Sequence, residues 1–171
     1  MKKLGFFLFF LLQISVGIAQ NSRHEILSFI QQKSWPCSGE LLNNSDGFLY
    51  VKVSDEYVHE LVRFIQDDGF EEPPYFGQLY SDGAHISVIY SKELEERSPI
   101  QIDELHRVFD FKITDCGIFE TPSWKGVEAV FVLLVKAPAL DQLREKYGLP
   151  QDHVFHITIG IRRDPAAALA W

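Results

Sequence analysis

Residues 153–161 read His153-Val154-Phe155-His156-Ile157-Thr158-Ile159-Gly160-Ile161, and residues 85–90 read His85-Ile86-Ser87-Val88-Ile89-Tyr90. Both are strand sequences, short and rich in β-branched residues. Side chains alternate across a strand with period two. In the later stretch His156, Thr158 and Gly160 therefore share one face, while Phe155, Ile157, Ile159 and Ile161 share the other, which must meet a core. In the earlier one His85 and Ser87 face one way and Ile86, Val88 and Tyr90 the other. Each strand presents an imidazole and a hydroxyl on a face that its apolar residues avoid.

Outward from these strands the chain repeats itself. Before the first lie a strand, Phe48–Val53, and a helix that Ser54 or Asp55 can cap. That helix carries Val58, Leu61, Val62 and Ile65 at i, i+3, i+4 and i+7 and ends at Gly69; an aromatic-rich loop over 68–84 follows. Before the second lie an apolar strand, Val127–Val135, and a helix begun by Pro138, with Leu140, Leu143 and Tyr147 on one side, that Gly148 and Pro150 stop. A Val-Lys pair closes each first strand and a histidine opens each second. Elsewhere the pattern predicts a short helix over 21–32, a connection over 34–47, a short helix or loop over 91–104, and a hairpin of 108–119 with 127–135. The layout is α+β with two pseudo-symmetric lobes, whose polar strand faces meet in a central cleft.

Two imidazoles titrating near neutrality can divide the work of displacement at a phosphodiester, one taking a proton from the nucleophile and one giving a proton to the leaving oxygen. Hydroxyls beside them can donate to the non-bridging phosphate oxygens. The pattern asks for no metal or cofactor. HISV and HITI resemble the paired H-x-[ST] motifs of the two-histidine (2H) phosphoesterases, which include RNA 2',3'-cyclic phosphodiesterases, the so-called 2'-5' RNA ligases and cyclic nucleotide phosphodiesterases. The resemblance spans about residues 46–162. It implies a bilobal fold with two antiparallel sheets lining a central cleft and helices outside. It also implies His85 and His156 as the catalytic pair, Ser87 and Thr158 as phosphate ligands, and a cyclic or 2'-5' phosphodiester in a nucleotide or RNA end as substrate. Two rival readings stay open: a catalytically silent module that binds a phosphorylated ligand on the same fold, and a structural protein with two strand histidines. Tyr75, Phe76 and Tyr80 in the long loop, and Trp124 beside Lys125, are candidates to stack a nucleobase and equally candidates to cap a core. His153 is placed exposed at the strand mouth, and Arg162 and Arg163 at a solvated strand end.

Composition bounds the partners. The chain has 171 residues, 46% hydrophobic and 23% charged, which suits a single domain with a real core. Its net charge of -8 disfavours long nucleic acid, whose phosphates need Lys and Arg. A monomer acting on a small substrate fits best. At the N-terminus, Lys2 and Lys3 precede an apolar run from Leu4 to Ile18, with small residues at Gly17 and Ala19. Residues 1–19 read as a signal peptide, leaving 20–171 as an exported domain, periplasmic or secreted, with no stable membrane association; an uncleaved anchor is the alternative. In an oxidising compartment Cys37 and Cys116 could pair, and spacing alone leaves that open. Asn43-Asn44-Ser45 is a glycosylation sequon, meaningful only in a eukaryotic secretory path.

Overall fold

The structure is a computed structural model that describes residues 20–74, 76, 81–95, 101–121 and 124–165. The expected signal peptide, Tyr75, Tyr80 and the last six residues lie outside the described residues. In chain order the elements are α1 (Gln20–Lys33), β1 (Ser38–Asn43), β2 (Leu49–Lys52), α2 (Glu56–His59), β3 (His85–Ile89), α3 (Ser91–Glu95), β4 (Val108–Asp110), β5 (Lys112–Glu120), β6 (Val127–Lys136), α4 (Pro138–Lys146) and β7 (His156–Arg163). Among the described residues no helix is long and apolar enough to cross a membrane.

The α+β class stands, but the strands form one sheet where the sequence leads us to expect two. Its order is β4-β1-β2-β3-β7-β6-β5, with every pairing antiparallel. The join lies between the two histidine strands and rests on one registered pair, Ile86↔Ile157. Both isoleucines are fully buried in the same hydrophobic cluster. Strands whose apolar faces enter one core lie side by side rather than facing each other across a gap. The sheet is nonetheless rolled. β4 and β5 stand at opposite ends of the strand order, yet only Phe111 separates them in the chain. Two peptide units span at most about 7.6 Å, so the sheet's two edges nearly meet there.

The core face is covered by α1 through Ile26 and Ile30, by α4 through Leu140 and Leu143, and by the segment after β2. The expected helix over that segment breaks into one α-helical turn, α2, and two 3-10 turns, Val62–Phe64 and Gln66–Asp68. Val58, Leu61, Val62 and Ile65 are all buried, as expected. Val and Ile are stiff at χ1 and hold a regular helix poorly, so burial sets the path and the tighter turns follow it. Gly69 closes it at φ 80°. Asp55 does not cap α2 with its side chain. Its carboxylate instead accepts from Lys52 Nζ and, at 2.9 Å, from the Ala84 amide.

Strand β1 is a second correction, since Pro36, Gly39 and Asn43 mark residues 34–47 as a connection. Only Leu41 in β1 is fully buried, so the strand has almost no apolar signal of its own; its ladders to β2 and β4 hold it. Gly39 is required there: a Cβ would sit 2.1 Å from the Lys52 carbonyl oxygen. The third correction is in β7. Register shifts between Phe131 and Val132, so that Phe131 pairs with Gly160 but Val132 with Thr158. This bulge inserts one residue into β7 and reverses the alternation beyond it. Gly160 consequently faces the core, where a Cβ would lie 2.6 Å from Ile65 Cδ1. Ile161 turns to the opposite face and packs with Val130 and Val132. Cys37 is exposed, Cys116 is buried, and both are thiols; burial pushes the Cys116 thiol up to about 12.

Candidate functional site

The antiparallel register fixes the centre of the site. With Ile86 opposite Ile157, one residue either way sets His85 beside Thr158 and Ser87 beside His156. The four side chains occupy the corners of a quadrilateral, imidazoles on one diagonal and hydroxyls on the other. Diagonal neighbours on adjacent strands are roughly 7–8 Å apart at the backbone. All four are half-buried, while Ile86, Val88, Ile157 and Ile159 on the other face are fully buried. This is the grouping that the sequence places in a cleft.

Both histidines are held in the same way. His85 Nδ1 lies 2.7 Å from the Gly83 carbonyl and His156 Nδ1 lies 2.9 Å from that of Val154, in each case two residues back. A carbonyl only accepts, so Nδ1 carries the hydrogen and Nε2 carries the lone pair in the neutral ring. Burial lowers the pKa of His85; Lys52 lowers it further, while the Gly83 carbonyl and Asp82 oppose the shift. Burial also lowers that of His156, and the charge on His85 adds to the effect. Both shifts run downward, so near neutrality both rings are neutral in the free protein and each holds its Nε2 lone pair. A proton taken up by either ring sits at Nε2 and disfavours a second one on its neighbour.

Further groups that the sequence does not single out crowd round. Phe48 stacks between Tyr50 and Tyr90, centroids 5.5 and 5.9 Å away, and both Phe48 and Tyr50 set an edge-to-face contact with His85. Tyr90 does not follow Ile86 and Val88 into the core: β3 ends at Ile89, Tyr90 is 45% exposed, and its hydroxyl is paired with that of Ser87. Tyr50 faces Asp82, which with burial pushes its phenol up to about 12. Lys52 is registered opposite His85 and is ion-paired with Asp55. On the other side Phe119 stacks on His156 at 6.5 Å. Phe48 and Tyr50 are legible only once the β2–β3 pairing is known; the Lys-His coincidence in the two repeats is the one sequence signal for Lys52.

His153 also belongs here, half-buried rather than exposed at the strand mouth. Its Nε2 lies 3.0 Å from the Ser87 carbonyl, so this ring holds the opposite tautomer. Burial and Arg144 depress its pKa. Arg144, 2% exposed, donates to the carbonyls of Val88 and Pro150 and pairs with Glu93. Together His153 and Arg144 lash the segment before β7 to the end of β3.

Of the candidate stacking residues, the structure does not bring Trp124 or Phe76 to this centre. Trp124, 40% exposed, sits in the β5–β6 turn. Strand β7 reaches that end at Arg163, seven residues from His156, or about 23 Å along the strand. Phe76 packs against the core and meets the His59 ring edge-on. Tyr75 lies outside the described residues. Arg162 and Arg163 are paired with Glu128 and Glu71. Among the described residues no group of three or more His, Cys, Asp or Glu is placed to hold a metal ion.

A family model described as "Swiss Army Knife, 2H phosphoesterase domain" matches residues 49–166. Comparison with curated proteins and with solved structures returns no match.

Proposed function

From the premise that this chain belongs to the 2H phosphoesterase family, we propose that it hydrolyses a small phosphodiester, a 2',3'-cyclic or 2'-5' linkage in a nucleotide or RNA end, without a metal. The observation that carries this reading is the crossed quadrilateral, with both imidazoles held by the same carbonyl bond. A phosphate over its centre has Ser87 and Thr158 on one diagonal, positioned to donate to non-bridging oxygens. The imidazoles lie on the other diagonal, on opposite sides of phosphorus. One Nε2 takes a proton from water as its oxygen bonds to phosphorus. The other ring, charged at Nε2 once the phosphate anion beside it offsets the cost of burial, gives that proton to the departing ribose oxygen as the P–O bond breaks. One water is consumed, and the pair again holds one proton.

The ring stack of Phe48, Tyr50 and Tyr90 beside His85 supports a nucleobase as the group attached. The acidic composition favours a short substrate and no long nucleic acid. We further propose that the chain is exported as a monomer, on the strength of Lys2, Lys3 and the apolar run after them. The test is a panel of the four 2',3'-cyclic nucleotides with a 2'-5' and a 3'-5' dinucleoside monophosphate. Cleavage of the first two types, with the products separated as 2'- or 3'-phosphates, is the expected outcome. Tight binding of product nucleotide with no cleavage of any member would replace hydrolysis by the silent-module reading.

A further inference from the structure

Beyond His156 the same face carries two lysines. Lys112 on β5 and Lys136 on β6 are registered directly opposite each other. Both are exposed, and their inward neighbours Ile113 and Val135 pack on the core, so the lysines point to the side of the sheet that bears His156. Leu134 is registered with His156, which makes Lys136 the diagonal neighbour of that histidine, roughly 7–8 Å away at the backbone.

Like charges directly opposite in a sheet are destabilising. In a chain of net charge -8, carboxylates are at hand to relieve the repulsion. Arg23, Lys33, Lys52, Arg63, Arg144, Lys146, Arg162 and Arg163 are all paired with one. The acidic residue on this face of β5, Asp115, is gripped through both oxygens by Arg23 instead. Lys112 and Lys136 have no carboxylate partner among the described residues; Lys92, Arg107 and Lys125 also have none, but of these five only Lys112 and Lys136 stand opposite each other in a ladder. Protection of a sheet edge would account for Lys112, which lies on the terminal strand β5, but not for Lys136 on β6.

We propose that Lys112 and Lys136 form a second anion site, which takes a further phosphate of the substrate on the His156 side. The inference rests on the reading of the histidine centre above and deepens it: the substrate would be a nucleotide bearing a phosphate monoester besides the scissile diester. Titration calorimetry with adenosine 3'-phosphate and adenosine 3',5'-bisphosphate tests it, on the wild-type protein and on the Lys112→Gln/Lys136→Gln double variant. The wild type should bind the bisphosphate at least about tenfold more tightly, as charge-assisted bonds of the usual strength give. The variant should lose most of that preference. Its thermal midpoint should hold or rise, because a repulsion has gone. Equal affinities in the wild type, or a preference that survives in the variant, would overturn the proposal. Hydrolysis of a 2',3'-cyclic nucleotide measured alongside separates the two readings. Turnover without a bisphosphate preference defeats the lysine site alone; the preference without turnover defeats hydrolysis and leaves the lysine site in place.

Discussion

Each of the three histidines at the centre is buried as the neutral ring, and that has a consequence for stability. Their folded pKa values lie below the ordinary 6.5 or so of an unfolded chain. Above that value neither state binds a proton, and nothing is gained or lost. Below it the unfolded chain takes up protons that the folded chain refuses, so stability falls as pH drops from about 6.5 towards the depressed values. Asp55, Glu93 and Glu104 are shifted down and lose their contributions only at lower pH, below the usual carboxylate range. Thermal melts should therefore show the midpoint falling between about pH 7 and pH 5, before the carboxylates titrate. A flat midpoint across that window would mean that the rings are solvated. The pairing of imidazole with hydroxyl was legible from spacing alone, because period-two alternation holds in the first three residues of each strand. The tautomers were not, since the carbonyls of Gly83 and Val154 lie behind their histidines only once the turns into β3 and β7 are folded.

Where sequence and structure diverge at the level of elements, a partner strand decides the matter. Gly39 looks like a loop residue until β2 lies against it, and Gly160 looks like a cleft residue until the bulge turns it inward. The two clashes differ in kind. At Gly39 an added methyl meets backbone, which cannot move without breaking the β1–β2 ladder; at Gly160 it meets foremost the tip of Ile65. Gly39→Ala should thus unfold the protein or cost well above the 1–3 kcal/mol of ordinary overpacking, with Gly160→Ala inside that range. Gly117→Ala, with nothing within 4 Å, should leave the denaturant midpoint nearly unchanged. A Gly160 variant less stable than the Gly39 variant would contradict the register described for β7. The seam between β3 and β7 makes a separate demand. With one registered pair there, the bond from His153 to the Ser87 carbonyl fixes where Ser87 stands. His153→Phe should lower kcat/KM by about ten- to a hundredfold, as small misplacements do, and His153→Gln, which keeps an N–H near Nε2, should restore most of it. Equal losses in both variants would reduce His153 to packing.

For the whole molecule, the rolled sheet explains how a single sheet serves a fold read from the sequence as two. The repeat was visible because each histidine strand follows its own strand-helix unit. The join was not, since nothing in HISV or HITI says whether the two strands face each other or pair. Phe111 carries the chain from one edge of the sheet to the other, so the hairpin of β5 and β6 is tied to the β1 side by a single residue. Charge acts at this scale too. With a net charge of -8, long RNA should compete weakly with a cyclic nucleotide, and a 30- to 40-nucleotide RNA (about that length suffices) should inhibit hydrolysis no better than its terminal nucleotide does. Inhibition that strengthens with RNA length would point to a polymer groove.

The central claim is that His85 and His156, holding one proton between them once a phosphodiester is bound, cleave it without a metal. The measurement that meets it most directly is hydrolysis of the four 2',3'-cyclic nucleotides by residues 20–171 in EDTA, with His85→Ala and His156→Ala alongside and their folding checked by thermal melts. Turnover that persists in EDTA, and that each substitution lowers by about a hundredfold or more while the melts stay cooperative, is the predicted result. Turnover that EDTA removes, or that survives either substitution, would contradict it.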